Sequence, residues 1–122
     1  MRSMHTSRAL KLLVVALLVL LIVPAVGEER PIIEISVLTS GELLVDGQPS
    51  DMQQLEAALE RAREAEGAVW YYRENALEEA SPQAMRVIQL VIDKRLPISM
   101  SSKPDFSDYI DGKGRSHPRR PQ

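Results

Sequence analysis

Ile32-Ile-Glu-Ile-Ser-Val-Leu38, Thr39-Ser-Gly41, Glu42-Leu-Leu-Val45 and Asp46-Gly47-Gln-Pro49 follow one another ahead of a helical run that begins at Ser50. The first run is rich in β-branched residues and alternates. Ile33, Ile35 and Val37 point one way, Glu34 and Ser36 the other, as a half-buried strand requires. A glycine-containing turn and a second short apolar run make a hairpin. Asp46-Gly47 is a further turn signal, because glycine tolerates positive φ freely and aspartate better than most residues.

The helix that follows is well marked. Ser50 with Gln53 three residues on fits a capping box. Met52, Leu55, Ala58, Leu59 and Ala62 recur at helical spacing and form one apolar stripe. Gly67 stands where a left-handed C-terminal cap is expected. A third strand, Ala68-Val-Trp-Tyr-Tyr-Arg73, carries two tyrosines and the only tryptophan. Ser81-Pro82 reads as an N-cap with proline at the first helical position, where its missing N–H does no harm. Met85, Ile88, Val91 and Ile92 give the second helix its expected stripe, and Pro97 stops it. Ile98-Ser-Met-Ser101 alternates and makes a fourth strand. The expected architecture is a two-layer α+β domain of order ββαβαβ, with a mixed sheet and both helices on one face. The other sheet face is left at least partly open.

With 122 residues the chain supports one small domain. Cysteine is absent, which removes disulfides, thiolate zinc sites and a cysteine nucleophile. Charge is segregated. Residues 1–27 hold three basic groups and no acid, residues 28–112 hold eight basic and seventeen acidic groups, and residues 113–122 hold four basic groups and no acid. An acidic body of this kind is not built to grip nucleic acid.

Leu12 to Val26 carries no charge, and Ala9 to Gly27 is interrupted only by Lys11. At ~1.5 Å rise per residue this apolar helix reaches about 28 Å, close to the hydrocarbon thickness of a bilayer. It reads equally as a signal peptide, with Pro24 breaking the helix and Ala25-Val26-Gly27 offering small residues at a cleavage site. Both readings keep the basic start in the cytoplasm and put the rest outside it, either as an inner-membrane single-pass protein with a periplasmic domain or as a soluble periplasmic one. The expected division is residues 1–27 as leader or anchor, 28–104 as the folded domain and 105–122 as a polar, basic, disordered tail.

Catalytic chemistry finds little support. His5 and His117 lie in the two ends and read as solvated. Asp105, Asp108 and Asp111 recur every third residue, which does not match a calcium loop, and read as a solvated acidic turn. No catalytic, cofactor or metal residue is nominated. Trp70, Tyr71 and Tyr72 have two readings: packing under the helices or over a sheet edge, and a partner surface, since tryptophan and tyrosine are enriched in interface hot spots. The open sheet face also leaves room for a homodimer.

The basic start, the apolar segment, Gly41-Glu-Leu-Leu-Val-Asp-Gly47 before a helix, the Met85–Ile92 helix and Leu96-Pro-Ile-Ser-Met-Ser-Ser-Lys-Pro104 resemble, in that order, the ExbD/TolR biopolymer-transport family. The resemblance spans residues 9–104. It implies a single-span inner-membrane subunit with a periplasmic α+β domain, acting with a polytopic ExbB/TolQ-like partner and the proton gradient. Two departures stand out. The family's proton step uses an aspartate within the spanning helix, and this leader has no titratable group between Leu12 and Val26. The long tether between membrane and domain is also missing. The resemblance therefore implies an accessory subunit that does not itself conduct protons, or a free periplasmic binding or scaffold module.

Overall fold

The computed structural model describes residues 30–120. The apolar leader and His5 lie outside the described residues. The architecture is α+β, with a mixed five-stranded sheet, two helices and a separate two-stranded hairpin. In chain order the sheet is built from β1 (Ile32–Val37), β2 (Leu43–Val45), β3 (Gln48–Ser50), β4 (Ala68–Arg73) and β5 (Ile98–Ser101). Helix α1 (Met52–Glu64) lies between β3 and β4, and α2 (Pro82–Asp93) between β4 and β5. The strand order is β3-β2-β1-β4-β5. β1 pairs parallel with β4, and β4 parallel with β5. β1, β2 and β3 form an antiparallel meander.

β3 was not expected. Asp46 at φ 50° and Gly47 at φ 79° form a two-residue turn with both central residues at positive φ, the geometry that matches strand twist. That turn folds Gln48–Ser50 back onto β2 despite Pro49. Proline is tolerated because β3 is an edge strand.

Ser50 is thereby held in the sheet, opposite Leu43, and the helix starts one residue later than its sequence suggests. The capping box is Asp51 with Gln54. The Gln54 amide donates to Asp51 Oδ1 at 2.7 Å, and the Asp51 amide donates to Gln54 Oε1 at 2.9 Å.

The two helices end alike. At the end of α1, Glu66 N–H donates to Arg63 O and Gly67 N–H to Ala62 O, with Glu66 at φ 54°. At the end of α2, Arg95 N–H donates to Ile92 O and Leu96 N–H to Val91 O, with Arg95 at φ 56°. Both are Schellman motifs whose left-handed residue is charged rather than glycine. Gly67 is needed for space. A Cβ there would stand 2.5 Å from Pro31 O, where the chain enters β1.

One hydrophobic core joins Ile33, Ile35 and Val37 of β1 and Val69 and Tyr71 of β4 to the buried stripes of both helices. The α1 stripe is Leu55, Ala58, Leu59 and Ala62, as its periodicity predicts. The α2 stripe is Ala84, Val87 and Val91, while Met85 is 63 % and Ile92 56 % exposed. The expected stripe is thus rotated by part of a turn. Lys94 supplies the physical reason. Its ammonium reaches Glu60 at 2.9 Å and Glu56 at 3.7 Å on α1. On a helix of 100° per residue, Ile92 and Met85 fall roughly opposite Lys94 and turn away from α1. Hydrogen bonds from Arg63 and Lys94 hold the Glu60 carboxyl down to about 2.

These placements separate core from surface within α2. Val87→Ala should destabilise the fold by about 2 kcal/mol, and Met85→Ala by less than about 0.5 kcal/mol. Gly67→Ala should cost about 1–3 kcal/mol through the clash with Pro31. Urea unfolding followed by circular dichroism measures all three, and an equal loss for Val87→Ala and Met85→Ala would contradict the observed rotation of α2.

Candidate partner surface

The backbone of β4 sends alternate side chains to opposite sides. Val69 and Tyr71 enter the core, with Tyr71 only 5 % exposed. Burial pushes the Tyr71 hydroxyl pKa up, against a smaller opposing effect of Arg73. Tyr71 is therefore a core residue and no part of an exposed aromatic triplet. Trp70 and Tyr72 point the other way.

Register sets their neighbours. Glu34, Trp70 and Ser99 form one row across β1, β4 and β5. Ser36, Tyr72 and Ser101 form the next. This second sheet face is polar and aromatic, in contrast to the aliphatic core face.

It is not open. Residues 105–119, expected as part of a disordered tail, fold into a hairpin of β6 (Asp108–Ile110) and β7 (Ser116–Pro118). Phe106 meets Tyr72 edge-on, with centroids 6.5 Å apart and planes at 80°. The Arg119 guanidinium lies 3.9 Å above the Trp70 ring centre and 6.0 Å from that of Tyr109. Tyr109 in turn stacks on His117 at 5.2 Å and 23°. Trp70, Arg119, Tyr109 and His117 form a column in which a cation sits among π faces, an arrangement favourable electrostatically.

Asp108 ties the hairpin to the sheet. It is 1 % exposed. Its Oδ1 accepts from Ser101 Oγ at 2.9 Å and from the Ser102 amide at 3.0 Å. Its Oδ2 accepts from Ser116 Oγ at 2.7 Å and from Ser102 Oγ. Burial alone would raise its pKa, but the hydrogen bonds from Ser102, Ser116 and Ser101 outweigh burial and hold it far below the usual carboxylate range.

The other two aspartates of the triplet stay at the surface and shape turns. Asp105 accepts from the Ser107 amide. Asp111 accepts from the amides of Lys113 and Arg115 and bonds His117 Nε2 at 2.7 Å. The aspartates are therefore not a simple solvated turn, and His117 is a stacked and hydrogen-bonded hairpin residue.

Arg119 is held less completely. Its Nε donates to Phe106 O at 3.0 Å, but its buried Nη2 has no hydrogen-bond partner among the described residues. Burial lowers its pKa, and the charges of Asp108 and Glu34 oppose that. Glu34 carries the complementary perturbation: burial first and Asp46 second raise its pKa, and Arg119 opposes.

A concavity of about 510 Å³ lies at the carboxyl ends of β1 and β4, where ligands commonly enter open α/β sheets. Two of its charged groups are occupied in holding loops. Arg73 donates to Ala76 O at 2.9 Å and Glu78 O at 3.0 Å. Glu74 accepts from the Thr39 amide at 2.9 Å and from its hydroxyl.

Of the three aromatic residues singled out in the sequence, the structure brings Trp70 and Tyr72 to one face and removes Tyr71. Sequence reasoning missed Phe106 and Arg119, and it read the buried Asp108 as part of a solvated acidic turn. The available local signal was Tyr109-Ile110 followed by the glycines Gly112 and Gly114, a short hairpin pattern. Compared with known proteins, the chain matches no family model and no curated protein sequence.

The Asp108 network has a defined pH dependence. Its folded-state pKa is depressed, so its stabilisation is fully present above the unfolded value of roughly 4 and is lost as pH falls through the lower folded value. Amide NMR shifts of Ser101, Ser102 and Asp108 should hold from pH 7 to pH 5 and change only in strong acid. Asp108→Ala leaves the Ser102 amide and the Ser102 and Ser116 hydroxyls without their acceptor, while the Ser101 hydroxyl keeps the Asp108 carbonyl at 2.6 Å, and should destabilise the hairpin by about 2–4 kcal/mol at neutral pH. The same spectra, with the β1 and β4 resonances as internal reference, check the loss.

Proposed function

We propose that this chain is a non-catalytic interaction subunit on the extracytoplasmic side of a membrane: an ExbD/TolR-like accessory component of an inner-membrane, proton-gradient-linked biopolymer transport complex that does not itself conduct protons. Its fold is read as a two-layer ββαβαβ domain behind an apolar N-terminal helix, elaborated by the β3 edge strand and the C-terminal hairpin. The observation carrying the proposal is the element order behind the leader. A basic, apolar segment is followed within a few residues by a compact mixed-sheet domain whose second face is built of Trp70, Tyr72 and polar side chains. Large aromatic residues on a sheet face suit protein recognition more than chemistry. The implied partner is an ExbB/TolQ-like polytopic membrane protein.

A second reading has its own support. The leader lacks a titratable group between Leu12 and Val26, and Ala25-Val26-Gly27 suits cleavage. These features favour a free periplasmic binding or scaffold module that keeps the fold without energy coupling. Among the described residues no helix is long and apolar enough to cross a membrane, so anchoring would rest on the leader alone.

Mass spectrometry of the native protein, combined with carbonate washing of membranes, separates the two readings. The subunit reading expects an uncleaved leader, retention in the washed membrane and co-purification with a polytopic partner. A mature chain starting at Glu28 and released with the soluble periplasm would defeat that reading in favour of the free module.

A further inference from the structure

The face carrying Trp70 and Tyr72 has an occupant, and the occupant shows what chemistry the face accepts. The Arg119 guanidinium lies over the Trp70 ring, and the Phe106 and Tyr72 rings meet in a T-shaped pair. The two visiting side chains are joined, since Arg119 Nε donates to Phe106 O. We infer that this sheet face recognises a segment of a partner protein that presents an arginine beside an aromatic ring, and that residues 105–119 occupy the face as an internal stand-in which such a segment displaces. The inference rests on the partner-surface reading of Trp70 and Tyr72, not on the fate of the leader.

The internal occupant is imperfect in three independent respects. It is a two-stranded sheet with three residues in each strand, too small to persist without its docking contacts. Phe106 sits at φ 57°, a conformation that bulky side chains avoid. Arg119 Nη2 is buried without a hydrogen-bond acceptor. Glu34 stands in the same row as Trp70 and is close enough to influence Arg119, yet it makes no hydrogen bond to it. A segment not constrained by the short connection from Ser101 could place its guanidinium to reach Glu34, keep its aromatic residue in an ordinary backbone conformation, and still make both ring contacts. Displacement of the hairpin then exchanges a strained ligand for a relaxed one.

The full chain in detergent micelles allows a direct test, because Trp70 is its only tryptophan. The probe is a synthetic peptide covering residues 104–120. In the wild-type chain, amides of β6 and β7 should exchange with deuterium at least 100-fold faster than those of β1 and β4. Arg119→Ala in the chain should free the face, so that the peptide shifts Trp70 emission with at least 10-fold higher affinity than it does in the wild type. The same peptide carrying Arg119→Ala should give no shift. Arg119→Lys, which keeps the charge but loses the guanidinium, should lie between. Circular dichroism and unfolding of each variant establish that β1 and β4 remain folded. Hairpin amides that exchange only together with the central sheet would overturn the proposal. So would equal peptide affinity for wild type and Arg119→Ala, or concentration-dependent dimers in which a second copy's hairpin fills the face. A soluble mature protein starting at Glu28 would sink the transport-subunit reading and leave this one intact.

Discussion

Adjacent parallel strands need cover on both faces, and among the described residues two helices are available to provide it. Parallel pairs are nearly always buried on both sides, because the connections that make them parallel also lay structure over them. In this chain β1, β4 and β5 are parallel neighbours, and the helices join Ile33, Ile35, Val37, Val69 and Tyr71 in one core. The remaining face holds Trp70 and Tyr72, too large and too apolar in part to be left to water without loss. The hairpin at the end of the chain answers that need. It covers the face with a cation, an aromatic ring and a buried carboxylate, whereas the helices cover theirs with aliphatic side chains.

How much of this could be read from the chain depended on how local the determining interactions are. The β1 alternation and the α1 stripe rest on neighbours within a few residues, and they were legible. The α1 cap moved by one position because Ser50 was claimed by pairing with Leu43, a contact made only once Asp46-Gly47 has turned the chain. The α2 stripe was rotated because Lys94 fixes the helix against Glu60, a residue 34 positions earlier. Gly67 was rightly singled out for the wrong property: its lack of a side chain matters for Pro31, which no local pattern reveals.

The hairpin was the least legible element. Ser-His-Pro is a poor strand former by composition, Tyr109-Ile110 is too short a run to stand out, and a run of arginines and prolines looks like a tail. What orders it is Asp108 with serines from β5, its following loop and β7, together with Arg119 on Trp70. These contacts become visible only when the distant partners are already in place. The same fact explains why Trp70 and Tyr72 were recognised as residues of interest while their partners were not.

The proline in β3 has a consequence at the margin of the sheet. Val45 and Gln48 flank the two-residue turn, so in a tight hairpin Leu44 and Pro49 form the next, non-bonded pair, whose amides face away from the partner strand. On the three-residue β3, Pro49 is the position whose amide would face solvent, and it has no hydrogen to offer. A ribbon that lengthens by edge-to-edge addition needs both margins to accept a neighbour. This sheet offers a blunted border on the β3 side, so stacking of molecule upon molecule into a continuous fibril is interrupted at every copy.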